Sequence, residues 1–182
     1  MFREARANCA EVARRHMTLG EFGRGAMWLR DFRPGDRDAV LALNVMGTNS
    51  ESDVTRSASN YPDLLDISGV YQHDGAFLVG ESRSELVAMG AIQRLDAESF
   101  SLMRIRVAIP HQRRGYASRL IDELERRAGS LGASRIVLDT TEKQTAAQRL
   151  YESLGYAQTH RSVLENEHGT FNLVHYEKRL GQ

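Results

Sequence analysis

The sequence predicts a mixed α/β domain in which helices and strands pack in layers. Three observations support this fold class. The 182 residues are 41% apolar and 26% charged, which is enough to bury one globular core. From residue 27 onward, apolar runs typical of strands are interspersed with apolar residues at helical spacing. Two of the strand runs are joined by only two residues, which is the spacing of a hairpin.

Residues 1–25 are expected to form a flexible or helical appendage that precedes the folded domain, residues 26–182. This segment lacks the apolar stretch of a signal peptide. It is rich in arginine, but Glu4, Glu11 and Glu21 argue against a transit peptide, since such peptides are poor in acids.

The first strand is expected within residues 27–36, where a Pro-Gly pair stops it. Asp36 would then cap a helix that carries Val40 and Leu43 on one face. The polar segment 47–66 predicts a loop followed by a short helix that begins near its proline.

Three strands are expected next, at residues 75–82, 85–96 and 100–109, and the first two form the hairpin. A helix follows, which glycine at position 132 ends. Its apolar residues recur at the spacing of one helical face: Ala117, Leu120, Ile121, Leu124 and Ala128.

A continuous apolar run at residues 135–140 predicts a buried strand. Residues 142–156 predict a second amphipathic helix, which Gly155 stops. Two further strands then flank an Asn-Glu-His-Gly turn at residues 166–169.

Composition excludes several classes of function. The 24 basic and 24 acidic residues cancel, so a nucleic-acid or acidic-membrane partner is not indicated. The apolar runs all stay well below the roughly 20 residues of a membrane span. Cys9 is the single cysteine, so no internal disulfide can form and a reducing, cytoplasmic location is expected. The six histidines show no paired ligand spacing, and no metal is expected.

The stretch "QRRGYA", residues 112–117, lies between a strand and the start of a helix. The first N–H groups of a helix lack intrahelical partners and attract anions. Gly115 and Ala117 leave these groups accessible, and Arg113 and Arg114 can add positive charge from the rim. The stretch lacks the Gly-Lys-Ser/Thr ending of a P-loop and two glycines of the dinucleotide fingerprint. It therefore predicts a diphosphate cradle, or else an ordinary turn with exposed arginines.

This loop resembles the Q/R-x-x-G-x-G/A signature of the GNAT superfamily of acetyl-CoA-dependent N-acetyltransferases. The strand ending "RVAIP" before the loop resembles that family, although its proline lies one place later. The helix "QTAAQRLYESLGY", residues 144–156, and the final "VHYEKRL" are similar to it too. The resemblance covers residues 27–180. It implies a mostly antiparallel sheet flanked by helices, in which strands 100–109 and 135–140 splay apart to hold the cofactor.

The resemblance also implies where acetyl-CoA binds. The pantetheine arm would pair with the main chain of the strand at residues 105–107. Main-chain N–H groups of the loop and the following helix would hold the diphosphate, and Gln112 would brace the loop. The cofactor-binding residues carried over in this way are Ile105, Arg106, Val107, Gln112, Arg113, Arg114, Gly115, Tyr116, Ala117, Ser118, Gln144, Ala147 and Tyr151.

Amide transfer needs a proton donor for the leaving thiolate and an acceptor for the amine's proton. The resemblance places Tyr151 as the donor, with an ordinary core tyrosine as the alternative. Many relatives have a glutamate where this chain has Ser101, so the base is not obvious. Glu81 acting through a water, His160 and His175 are the candidates, and each could instead be an ordinary strand residue.

The function predicted is the transfer of an acetyl group from acetyl-CoA to a primary amine of a small molecule or peptide by direct attack. Two alternatives stay open: a catalytically silent CoA-binding module, favoured by Gln144 in place of the family's usual asparagine, and a transferase of another acyl group, for which Arg104 is a candidate contact. The acceptor is expected among residues 47–73, the Glu98 region and the 160–175 hairpin. A homodimer is also left open.

Overall fold

The protein is described here from a computed structural model, which defines residues 27–46, 61–166 and 169–181. Within these residues a seven-stranded sheet has the order β1-β2-β3-β4-β5-β7-β6. The strands are β1 (Trp28–Asp31), β2 (Gly75–Ser82), β3 (Glu85–Arg94), β4 (Ser99–Val107), β5 (Arg135–Thr141), β6 (Ala157–Asn166) and β7 (Gly169–Arg179). The helices are α1 (Arg37–Met46), α2 (Pro62–Leu65), α3 (Ile67–Tyr71), α4 (Tyr116–Ser130) and α5 (Thr145–Ser153). The predicted appendage and the loop at residues 47–60 lie outside the described residues.

Neighbouring strands are antiparallel except for β4 and β5, which are parallel. The mixed, mostly antiparallel sheet flanked by helices is therefore confirmed. The predicted two-residue hairpin joins β2 to β3, and both of its residues, Arg83 and Ser84, have positive φ, at 52° and 66°. Such a turn matches the right-handed twist of the two strands.

The two faces of the sheet bury separate cores. On one face, the predicted apolar stripe of α4 packs against the sheet, and Leu120, Ile121 and Leu124 are fully buried there. On the other face, α1 to α3 cover β2, β3 and β4 around Val40 and Tyr71. Because each helix layer shields one face, the strands β2 and β3 are buried on both sides.

The structure corrects the start of the first helix. Asp36 does not cap α1; it lies in a 3₁₀ turn, Pro34–Asp36, that runs into the helix. Its carboxylate accepts a hydrogen bond from the backbone N–H of Arg33 at 2.8 Å and pairs with Arg30 at 2.7 Å. The proline starts the helical turn three residues earlier than expected, since its fixed φ suits the first helical position.

Boundaries of two strands and one further helix also differ from the prediction. The strand expected at 85–96 ends at Arg94, and the next strand ends at Val107 rather than residue 109, because Ile109–His111 forms a 3₁₀ turn. The helix expected at 142–156 is shorter, Thr145–Ser153, since the turn after β5 uses residues 142–144.

A charged cluster ties α2 to β4. Asp63 accepts hydrogen bonds from Arg104 at 2.8 and 2.6 Å and from the Tyr71 hydroxyl at 2.6 Å. Burial alone would raise the pKa of the Asp63 carboxyl, but the bonds from Arg104 and Tyr71 outweigh it and hold that pKa below its usual range. Arg104 itself has a φ of 59°, the left-handed region, at a bulge in β4. The pair therefore holds an unfavourable backbone conformation in place.

We expect Asp63→Asn to lower the free energy of unfolding by about 2 kcal/mol, because Arg104 loses a charged, partly buried partner. The wild type has the depressed pKa, so its extra stability is present above about pH 4 and is lost as the pH falls further. Urea denaturation at neutral and acid pH measures both effects. Asp74→Asn is the matched control, because Asp74 is 77% exposed and lies 3.8 Å from Arg94. Equal losses in the two variants would contradict this role for the cluster.

Candidate active site

The parallel strands β4 and β5 separate partway along their length. They pair only through Ser99, Phe100 and Ser101 of β4. β5 continues to pair with β7 up to Thr141, whereas β4 is bent by a bulge in its pairing with β3 between Met89 and Ala91. A gap therefore opens beyond Ser101, where the sequence resemblance placed a splay.

A cavity of about 780 Å³ lies at this gap, between the start of α4 and the start of α5. Every residue predicted to bind the cofactor lines it except Arg114, which donates instead to the carbonyl oxygen of Pro110 at 3.0 Å. Seven lining residues were missed by sequence reasoning: His111, Lys143, Thr145, Ala146, Arg149, Leu150 and Ser153.

Two of the missed residues are basic and lie on the α5 side of the cavity. Lys143 and Arg149 face the same cavity as Arg113. Both flank the predicted helix "QTAAQRLYESLGY" or lie within it, so their positions were readable in the sequence. The cavity therefore presents positive charge on two sides, which suits a polyanionic ligand.

The start of α4 forms the inner wall of the cavity. Gly115 precedes the helix with a φ of 77°, and the first intrahelical bond runs from Arg119 N to Gly115 O at 3.1 Å. The N–H groups of Ala117 and Ser118 lie before that bond. A Cβ built at Gly115 would meet nothing within 4 Å, so the space over these groups is open. This arrangement fits the diphosphate of coenzyme A.

Two side chains hold the loop in this shape. Gln112 Nε2 donates to Val107 O at 3.0 Å and so ties the loop to the end of β4. Tyr116 is buried, and its ring stacks on His111 with 6.3 Å between ring centroids. Arg113 adopts a φ of 61°, an uncommon conformation for a non-glycine residue. Such strain is typical of functional loops.

Tyr151 forms the wall of the cavity on α5. Its side chain is buried, and its ring packs edge-on against Tyr156 with 5.8 Å between centroids. Burial raises the pKa of Tyr151 to about 12, with Arg106 lowering it and Asp139 raising it. The phenol is therefore protonated throughout the neutral range and can donate a hydrogen bond.

Gln144 stands at the start of α5 beside the cavity. Its side-chain oxygen accepts from Thr140 Oγ1 at 2.6 Å, which ties the helix to the end of β5. The amide thus has a defined structural contact despite the departure from the family's usual asparagine.

The predicted bases lie elsewhere. Glu81 pairs with Arg30 at 3.1 Å and does not line the cavity. Ser101 lies in the paired part of β4, before the gap. His160 and His175 stack on each other across β6 and β7 and do not line the cavity either. The geometry therefore gives Glu81 no support as the base, and its role stays a prediction.

Across residues 27–46, 61–166 and 169–181, no group of three or more His, Cys, Asp or Glu side chains is placed to hold a metal ion. In the same part of the chain, no helix combines the length and apolar character needed to cross a membrane.

Comparison with known proteins agrees with this architecture. The profile of the Acetyltransferase (GNAT) family matches residues 45–156. N-acetyltransferase family 8 member 3 from Mus musculus is 30% identical over 106 residues, which are 54% of this chain and 47% of that protein. The chain thus spans about half the length of the curated relatives that it matches.

Solved structures show the same fold. An acetyltransferase of the GNAT family from Staphylococcus aureus Mu50 has a TM-score of 0.75 at 18% identity, covering 86% of this chain and all of that one, 100%. The structure of yncA from Salmonella typhimurium, with its cofactor acetyl-CoA, has a TM-score of 0.70 at 17% identity and covers 86% of this chain and 95% of that one. With the family profile matching more than half of its residues, this chain belongs to the GNAT family of acetyltransferases.

Proposed function

We propose that this chain is an acetyl-CoA-dependent N-acetyltransferase that acts on a primary amine of a small molecule or peptide by direct attack. The observation that carries the proposal is the cavity at the β4–β5 gap, which joins a helix-start anion cradle to a buried, protonated tyrosine. Acetyl-CoA, when bound, supplies an acetyl group activated as a thioester. A cytoplasmic location fits the single cysteine.

Different groups of the chain would bind different parts of acetyl-CoA. Backbone N–H groups at the start of α4 hold the diphosphate, with Arg113 adding charge. Main-chain groups of Ile105 and Val107, which lie beyond the part of β4 that pairs with β5, would hold the pantetheine amides. Lys143 and Arg149 contribute further positive charge from α5.

Tyr151 would donate a hydrogen bond to the leaving group. Its phenol would donate from Oη to the sulfur as the thiolate departs, which lowers the cost of expelling an anion. Because burial raises the pKa of Tyr151 to about 12, the donor form is present at every pH near neutrality.

The two alternatives make different demands. A silent CoA-binding module would bind acetyl-CoA but acetylate no amine. A transferase of acidic acyl groups would need a free cation near the gap, and Arg104 is already paired with Asp63 at 2.6 Å. That pairing removes Arg104 as the expected contact for such a donor.

The test combines calorimetry with acetyl-CoA and an acetylation screen with three amines: trialanine, an Nα-blocked lysine amide and tyramine. Binding with acetylation of at least one amine supports the proposal. Binding with no turnover of any amine would favour the silent module. Absence of binding would remove the cavity from the function altogether.

A further inference from the structure

Three titratable side chains form a row across the sheet on the side facing away from α4 and α5. Asp139 of β5 stands opposite His175 of β7, and His175 stands opposite His160 of β6. Their sequence neighbours on β5 and β7, such as Leu138 and Val174, are buried in the core on the other face. Side chains at directly opposed positions have Cβ atoms about 4.5–5.5 Å apart. The row therefore places a carboxylate and two imidazole rings side by side on one face of the sheet.

The row begins at the gap. β4 and β5 pair up to Val137, and Asp139 is the next residue of β5 on the same face, just beyond the point where the strands part. Asp139 is exposed, so an acceptor can reach it. Asp139 does not line the cavity itself, but it lies close enough to Tyr151 to act on the phenol electrostatically.

His175 is held firmly within the row. Its Nε2 lies 2.8 Å from Ser162 Oγ on β6, and its ring stacks on His160 with centroids 4.0 Å apart and planes 5° apart. The charged or titratable groups that face it are Asp139 on β5, His160 on β6 and Glu177 on its own strand. Glu177 is engaged with Arg135 at 3.8 Å.

We infer that Asp139 accepts the proton of the acceptor amine and passes it to His175, so that this row is the base of the reaction. This inference rests on the proposed function. An N–H bond of the ammonium breaks, its electron pair stays on nitrogen, and an O–H bond forms on Asp139. That O–H bond then breaks as an N–H bond forms on His175, and the imidazolium releases the proton to water. Asp139 is the catalytic residue, and His175 is a positioning and relay residue.

The stacked histidines fix the orientation of the His175 ring, because the His160 ring lies parallel to it with centroids 4.0 Å apart. The opposed carboxylate of Asp139 would stabilise a positive charge that develops on the His175 ring during the transfer.

The first test measures acetylation of trialanine by the full chain from about pH 6 to about pH 9 in Asp139→Asn, His175→Gln and Glu177→Gln. Asp139→Asn and His175→Gln should lower kcat about 100-fold. His175→Gln should also flatten the fall of kcat toward acid pH, and added imidazole should restore part of the rate. Acetyl-CoA affinity by calorimetry should be unchanged in all three variants.

Glu177→Gln is the matched control. Glu177 lies on the same strand as His175 and on the same face of the sheet. It stands opposite Val137, where β4 and β5 are still paired. The kcat of this variant should equal that of the wild type. A wild-type rate in Asp139→Asn, or an equal loss in Asp139→Asn and Glu177→Gln, would overturn the relay while leaving the proposed function intact.

The second test needs no acceptor or cofactor. Histidine ring-carbon NMR signals are followed against pH in the apoprotein. Asp139→Asn and His160→Gln should each change the pH profile of the His175 ring signals, whereas an unchanged profile in both variants would overturn the row as a coupled unit. Failure of the wild type to bind acetyl-CoA would instead overturn the proposed function, and the NMR result would still decide the row.

Discussion

Gly115→Glu is expected to weaken acetyl-CoA binding by about 100-fold or more. Gly115 has a φ of 77°, and a side chain there costs about 1–2 kcal/mol of backbone strain. The added carboxylate would also project into the open space over the first N–H groups of α4, where it would repel the diphosphate. The strain lowers the stability of the fold, whereas the repulsion and the filled space lower binding. A tenfold loss of affinity corresponds to about 1.4 kcal/mol, so about 2.8 kcal/mol of lost binding free energy gives the expected effect. Calorimetric titration with acetyl-CoA measures it.

Gly132→Glu is the matched control for this variant. Gly132 follows the other end of α4, has a φ of 92° and also has nothing within 4 Å of a built Cβ. It imposes the same strain and charge away from the cavity, so acetyl-CoA affinity should stay at the wild-type value. If both variants bound as the wild type does, the start of α4 would have no part in cofactor binding.

Tyr151→Phe is expected to lower kcat about 100-fold and to leave acetyl-CoA affinity unchanged. The substitution removes the hydroxyl that would donate to the leaving sulfur and keeps the ring that packs against Tyr156. Steady-state kinetics with the most reactive amine of the panel, together with calorimetry, separate the two effects.

The pH dependence adds a second check on Tyr151. Burial raises the pKa of Tyr151 to about 12, so its donor form persists as the pH rises and wild-type kcat should show no alkaline fall from this group below about pH 11. Tyr156→Phe is the control, because Tyr156 is buried beside Tyr151 but does not line the cavity. A similar loss of kcat in both phenylalanine variants would point to packing rather than proton donation.

Much of the fold could be predicted because its patterns are local. The apolar stripe of α4 and the two-residue hairpin between β2 and β3 depend on residues near one another in the chain. The glycine at the start of α4 was likewise recognisable, since a left-handed backbone and an accessible helix start both favour glycine at that point. The boundaries were less certain because turns such as Ile109–His111 compete with the strand pattern.

The base could not be predicted in the same way. Glu81 looked available in the sequence, but the pairing of β1 with β2 places it beside Arg30. No motif or spacing in the sequence marks Asp139, which lies within an apolar strand. Only the register of β5 against β7 sets it opposite His175. A shift of one residue in that register would send the side chain to the other face of the sheet.

The sequence by itself determined the layered α/β architecture and the glycine-containing loop before α4, because both arise from patterns within short stretches of chain. Tertiary structure alone decided the pairing of Asp63 with Arg104, the exclusion of Glu81 from the cavity and the row from Asp139 to His160. The physical reason is that strand order and register bring together residues far apart in sequence, and both are set by the packing of the whole sheet.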